Sequence, residues 1–121
     1  MRNMEFVAFV GKDKESWGQV KALINHLDCE KIIIVKNKEA SGFPTNSRTI
    51  FVDVDSRKPL VELKKDIMEN LKLKLSREFE VFLSIASGPG KEHMALISAL
   101  LSIPVGIRLV VYTDKGVEFI N

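Results

Sequence analysis

Several things are scarce or missing in this chain of 121 residues, and each absence closes off a class of function. Cys29 is the only cysteine, so no disulfide can form within the chain and no cysteine-based zinc cluster can be built. A reducing, cytoplasmic setting is the expectation that follows. No His or Cys pair clusters in sequence, so no metal site is expected, and His26, late in the first helix, reads as a helix-end residue. No apolar run approaches the roughly 20 residues of a membrane span. Met1-Arg2-Asn3-Met4-Glu5 leads into a strand pattern rather than a signal sequence, so a soluble, unprocessed protein without a membrane partner is expected. Neither sign of charge dominates: 18 basic residues are mixed among 16 acidic ones, for a net charge of +2. Composition therefore gives no case for duplex nucleic acid or an anionic surface, and any basic site must be local. Repeats and low-complexity segments are absent. So are Gly-x-Gly-x-x-Gly and Walker-A spacings, since Gly90-Lys91 is followed by Glu92 rather than Ser or Thr, which disfavours bound NAD and ATP hydrolysis. No cofactor is expected.

What is present is a regular alternation. With 45% hydrophobic and 28% charged residues the chain can bury one ordinary core, and a single domain over residues 1–121 is expected. Phe6 to Val10 reads as a first strand, Trp17, Val20, Leu23, Ile24 and Leu27 as an amphipathic helix, and Ile32 to Val35 as a β-branched second strand. Thr49 to Val54 gives a third strand. Pro59 opens a helix with Leu60, Leu63, Ile67 and Leu71 on its apolar face. Phe79 to Ile85 is a fourth strand, Lys91 to Ile103 a helix, and Ile107 to Tyr112 a fifth strand. A turn at Asp114-Lys115-Gly116 then leads into Val117 to Ile120. This order predicts an α/β fold, a Rossmann-like three-layer sandwich with a mostly parallel sheet of about six strands and a C-terminal antiparallel hairpin. The long polar stretch from Lys36 to Arg48 is either a flap over the site or a solvated surface excursion.

In such a sheet ligands gather beyond the carboxyl ends of the strands where strand order reverses, here between the first and fourth strands. The tips of those strands are Gly11-Lys12-Asp13-Lys14 and Ala86-Ser87-Gly88-Pro89-Gly90-Lys91. Gly11 permits a sharp exit from its strand, and Lys12 and Lys14 add positive charge. The second tip is the more specific. Glycines on both sides of Pro89 permit close backbone approach, Ser87 offers a hydroxyl, and Lys91 and His93 lie on the first helical turn, so an anion, most often a phosphate, is the expected guest. Trp17 is expected in the core, with stacking on a base as the alternative, and Cys29 as a buried small residue. Asp53 and Asp55 are expected at a turn away from the switch point. The third helix is apolar nearly all round. That surface calls for a twofold dimer through Met94, Ile97 and Leu101, unless the second helix or the hairpin covers it.

The segment Phe82 to Met94, the apolar helix after it, and Val105-Gly106-Ile107-Arg108-Leu109-Val110-Val111-Tyr112 resemble the CRISPR-associated Rossmann-fold ligand-binding domain, the CARF family. That family has a Thr-Gly-Gly-Thr-Lys-like turn, a Met in the next helix, a Gly and a strand ending near Tyr. Here Ser87 stands for the Thr, Gly88-Pro89-Gly90 replaces the double glycine with a one-residue shift, and Lys91 matches the basic position. The resemblance implies a homodimer that senses a cyclic oligoadenylate in antiviral defence, with Gly11, Lys12, Ser87, Gly88, Gly90 and Lys91 as contacts. It also implies an effector, either a separate protein or a further part of a longer chain. Two alternatives accompany it. One is a metal-independent ring nuclease in which the ligand's 2′-hydroxyl attacks its own phosphate and Lys91 or His93 stabilises the developing charge. The other is a dimerisation module without a ligand.

Overall fold

The computed structural model describes residues 4–76 and 80–121, and their element order matches the one expected. The strands are β1 (Glu5–Val10), β2 (Lys31–Lys36), β3 (Thr49–Asp53), β4 (Glu80–Ser84), β5 (Gly106–Thr113) and β6 (Gly116–Phe119). The helices are α1 (Trp17–His26), α2 (Leu60–Lys74) and α3 (Gly90–Leu101). Phe79, expected at the start of the fourth strand, lies outside the described residues.

One six-stranded sheet has the order β3-β2-β1-β4-β5-β6, parallel throughout except for the β5–β6 hairpin. The chain runs outward from β1 to β3, then returns to the other side of β1 with β4. The reversal falls between β1 and β4, as expected. β1 reads as an unbroken apolar run because helices cover both of its faces. Phe6, Ala8 and Val10 join Ile32, Ile34, Val20 and Leu23 on the α1 side, whereas Val7, Phe9, Ile33 and Val35 join Leu63, Ile67, Leu96 and Leu100 on the α2–α3 side. The two-residue strand period thus divides one sheet between two cores.

α3 is not bare all round. It packs against α2 as well as the sheet, burying Ala95, Leu96, Ala99 and Leu100, so the second helix supplies part of the cover. What remains is a single stripe at i, i+3, i+7 spacing: Met94 is 60% exposed and Leu101 72%, with Ile97 half-buried between them.

The polar stretch after β2 is held down. Ala40 and Phe43 are buried, and the Phe43 ring meets Trp17 edge-on with centroids 5.4 Å apart. Trp17 is itself 4% exposed, and its Nε1–H donates to the Gly11 carbonyl at 2.7 Å. The core assignment of Trp17 holds, because neither ring face is open to a base. Neither a free flap nor a wholly solvated excursion describes this stretch: two of its side chains are core, and its first residues form a wall described below.

Candidate functional site

The tips of β1 and β4 are sewn together. The Gly11 N–H donates to Ser87 Oγ at 2.9 Å, and the Ser87 and Ser16 hydroxyls lie 2.7 Å apart. The Ser16 hydroxyl proton goes to the Asp13 carbonyl at 2.7 Å, so Ser87 must be the donor to Ser16. Ser87 is fully buried and its only proton is committed. The glycines here serve the same closure. A Cβ on Gly11 would sit 2.9 Å from the Gly88 Cα, and one on Gly88, whose φ is +99°, would sit 2.5 Å from Phe9 Cδ1. Their lack of a side chain brings backbone against backbone and ring.

The turn after β4 is fixed from two further directions. His93 Nε2–H donates to the Ser87 carbonyl at 2.6 Å, and Lys91 Nζ donates to the Ser56 carbonyl at 2.8 Å. Gly90, by contrast, faces open space.

Beside this closed seam lies a cleft of about 800 Å³. Gly11 and Lys12 enter it from β1, Asn37, Lys38 and Glu39 from the loop after β2, Asp53 to Arg57 from the end of β3, and Pro89 and Glu92 from the start of α3. Of the expected contacts, Gly11 and Lys12 line this cleft, whereas Ser87, Gly88, Gly90 and Lys91 do not. Lys14 does not line it either, its ammonium lying over the Trp17 ring 5.9 Å from the centroid. Asp53 and Asp55 lie at the end of β3, away from the β1–β4 switch point as expected, and form part of the cleft's wall. The shift has a physical cause. Ser87 and the two facing glycines fill the β1–β4 gap, and the open volume moves toward β2 and β3.

Charges in the wall are mostly neutralised. Asp53 pairs at 2.6 Å with Lys36, whose buried stem places its ammonium 5.2 Å from the centre of the Phe51 ring. Hydrogen bonds from Arg57 hold the Asp55 carboxyl below its ordinary range. The Asn37 amide donates to Ser56 Oγ at 3.1 Å, tying the loops after β2 and β3 together. Among the described residues Lys12 and Lys38 form no ion pair, and both line the cleft. At the start of α3 the first helical bond runs from the His93 N–H to the Pro89 carbonyl. The N–H groups of Gly90, Lys91 and Glu92 therefore have no acceptor within the helix, and together they give this end a partial positive charge.

Asn37, Ser56, Arg57 and Glu92 also line the cleft and are not among the expected contacts. A signal existed for all but the last: parallel strands deliver every β-to-α loop to the same edge, so loops after the second and third strands share it with the first. The remaining chemistry-bearing residues lie elsewhere. His26 Nδ1–H donates to the Ala22 carbonyl and its Nε2 faces the Tyr112 hydroxyl at 3.3 Å, a helix-end role. Burial pushes the Cys29 thiol up to about 11, which keeps it protonated and unreactive at neutral pH. No group of three or more His, Cys, Asp or Glu capable of holding a metal occurs among the described residues, and no described helix is long and apolar enough to cross a membrane.

No family model and no curated protein matches the chain. Among solved structures it is similar to Csm6 of Enterococcus italicus bound to cyclic hexa-2′-fluoro-hexa-dAMP, with a TM-score of 0.61 and 11% identity over 97% of this chain. What the two share is the fold. This chain spans about a third of that protein, 35% of its length, so the Rossmann-like sandwich described here is one portion of the larger neighbour.

Proposed function

We propose that this chain is a sensor domain for cyclic oligoadenylate, with its binding site in the cleft at the carboxyl ends of β1, β2 and β3. The observation that carries the reading is the coincidence of that cleft with the fold. A cavity of about 800 Å³ falls within the size range of ligand sites, and its unpaired Lys12 and Lys38 lie beside the positive start of α3. The fold around it is shared along nearly the whole chain with a protein solved with a cyclic oligoadenylate analogue bound. A ring with an even number of repeating nucleotides contains a twofold axis, which two clefts related by a twofold axis would match. The Met94-Ile97-Leu101 stripe on α3 is the face through which such a pair would form, since soluble monomers seldom leave large apolar patches uncovered.

Binding is favoured over cleavage in this reading. Of the groups that a ring nuclease would turn toward the ligand, His93 Nε2–H is spent on the Ser87 carbonyl and Lys91 Nζ is tethered to the Ser56 carbonyl through one of its three donors. The test is calorimetry against cyclic tri-, tetra- and hexa-adenylate, with the ligand recovered afterwards. The expected result is salt-dependent saturable binding of at least one ring, recovered intact, with Lys12→Ala weakening it about ten- to a hundredfold, the loss of one charged hydrogen bond. Shortened products would convert the reading to a ring nuclease. Silence toward every ring would leave a dimerisation module, and Leu101→Glu, expected to shift the mass in solution to that of a monomer, tests the interface by itself.

A further inference from the structure

Glu92 is the buried acid of the cleft: the positive start of α3 favours an acid in its first turn, but no side chain engages this carboxylate. It is 6% exposed, yet among the described residues its side chain makes no hydrogen bond and no ion pair. No side-chain oxygen of the described residues is both sealed from solvent and unpartnered, so the Glu92 carboxylate must keep its residual contact through the cleft that it lines. Its local role is also blocked. An acid at the third position of a helix ordinarily reaches back to the backbone N–H of the capping residue, but the cap of α3 is Pro89, which has none. Four cations of this region are engaged elsewhere, Lys36 with Asp53, Arg57 with Asp55, Lys58 with Asp66 and Lys91 with the Ser56 carbonyl, and the two unpaired lysines of the cleft, Lys12 and Lys38, form no ion pair with Glu92.

A carboxylate in that position repels phosphate, and it accepts hydrogen bonds only. The other acids of the lining are paired, as Asp53 and Asp55 are, or exposed, as Glu39 is, so a buried and unpaired Glu92 is rational if part of the ligand presents a donor there. We propose that Glu92 is a specificity-determining residue that accepts a hydrogen bond from the nucleoside portion of the ligand, either the exocyclic amine of its purine or a ribose hydroxyl. Phosphates would then lie toward Lys12, Lys38 and the free N–H groups of α3, with a nucleoside beside Glu92. This inference rests on the cleft being the oligoadenylate site. A buried acceptor left unpaired is costly, so a site built this way rejects an analogue that lacks the donor far more strongly than it rewards one that has it.

The test measures affinities of the wild-type chain and of Glu92→Gln and Glu92→Ala for three probes: a cyclic oligoadenylate that binds, the same ring with hypoxanthine in place of adenine, and the 2′-deoxy ring. The expected wild-type result is a loss of about tenfold or more for one analogue, and which analogue suffers tells amine from hydroxyl. In Glu92→Ala that preference should disappear, with the parent ring weakened to the level of the analogue, and Glu92→Gln should lie between. Circular dichroism and the thermal midpoint verify that each variant is folded, and the preference among probes is a readout that a purely structural role would not move. If the parent ring binds the wild type but the variants bind it equally or more tightly, with the preference unchanged, Glu92 is not the acceptor while the oligoadenylate reading survives. If no ring binds the wild type, both fall together.

Discussion

The β1–β4 seam and the cleft beside it occupy the same sheet edge and are built on opposite principles. At the seam, polar groups satisfy one another: the Gly11 N–H, the Ser87 and Ser16 hydroxyls and the Asp13 carbonyl form a closed chain, and two glycines let the backbones touch. In the cleft, polar groups are left over: Lys12 and Lys38 have no ion-pair partner among the described residues, and the Glu92 side chain has no hydrogen-bond or ion-pair partner there. The lesson is that glycine, serine and proximity to a helix start do not by themselves mark a binding surface. What separates the two regions is whether the hydrogen-bonding capacity of the groups is already used.

The sharpest way to break that contrast is Gly88→Val. If Gly88 belongs to the seam, the positive φ and the clash with Phe9 together should lower stability by about 3 kcal/mol or more, seen as an early denaturant midpoint. A variant with unchanged stability and lost ligand binding would move Gly88 into the cleft's role. Ser87→Ala comes next. It strips the acceptor from the buried Gly11 N–H, and a loss of about 1 to 3 kcal/mol in urea unfolding is expected. Were Ser87 a ligand contact only, its removal would hardly shift the unfolding curve. The smallest effect belongs to Gly90→Ala, across Pro89 from Gly88. Nothing lies within 4 Å of a Cβ at Gly90, and its φ is not in the positive range, so thermal melting should show a gain of up to about 1 kcal/mol from reduced freedom of the unfolded chain. A loss of stability there would mean that both glycines of the turn are required by the seam.

Most of the architecture was legible in the residues. Val-Phe-Leu-Ser-Ile before Ala86-Ser87-Gly88 could hardly be anything but a buried strand entering a turn, and the period of Leu63, Ile67 and Leu71 fixed the inward face of α2. Even the position of the topological switch followed, since alternating strands and helices allow few parallel orders. The cover over α3 was less legible, because an apolar helix looks the same whether its flank meets α2 or a second subunit. Asp53 and Asp55 do lie away from the switch point, but that they would still border a cleft was not legible, because spacing along the chain carries no information on how far a cleft extends across neighbouring loops.

By itself the sequence determined the local chemistry: which segments alternate with the period of a strand or a helix, where Gly88 and Gly90 interrupt them, and that no cysteine cluster or nucleotide-phosphate motif was available. Only the tertiary structure decided how that chemistry was used. Ser87 and Lys91 carry the groups of an anion site, but Gly11 and Ser16 meet the first, and the Ser56 carbonyl engages the second. A hydrogen-bonding group has only the capacity for a ligand that protein atoms leave unused, and how much they use depends on contacts between residues far apart in the chain.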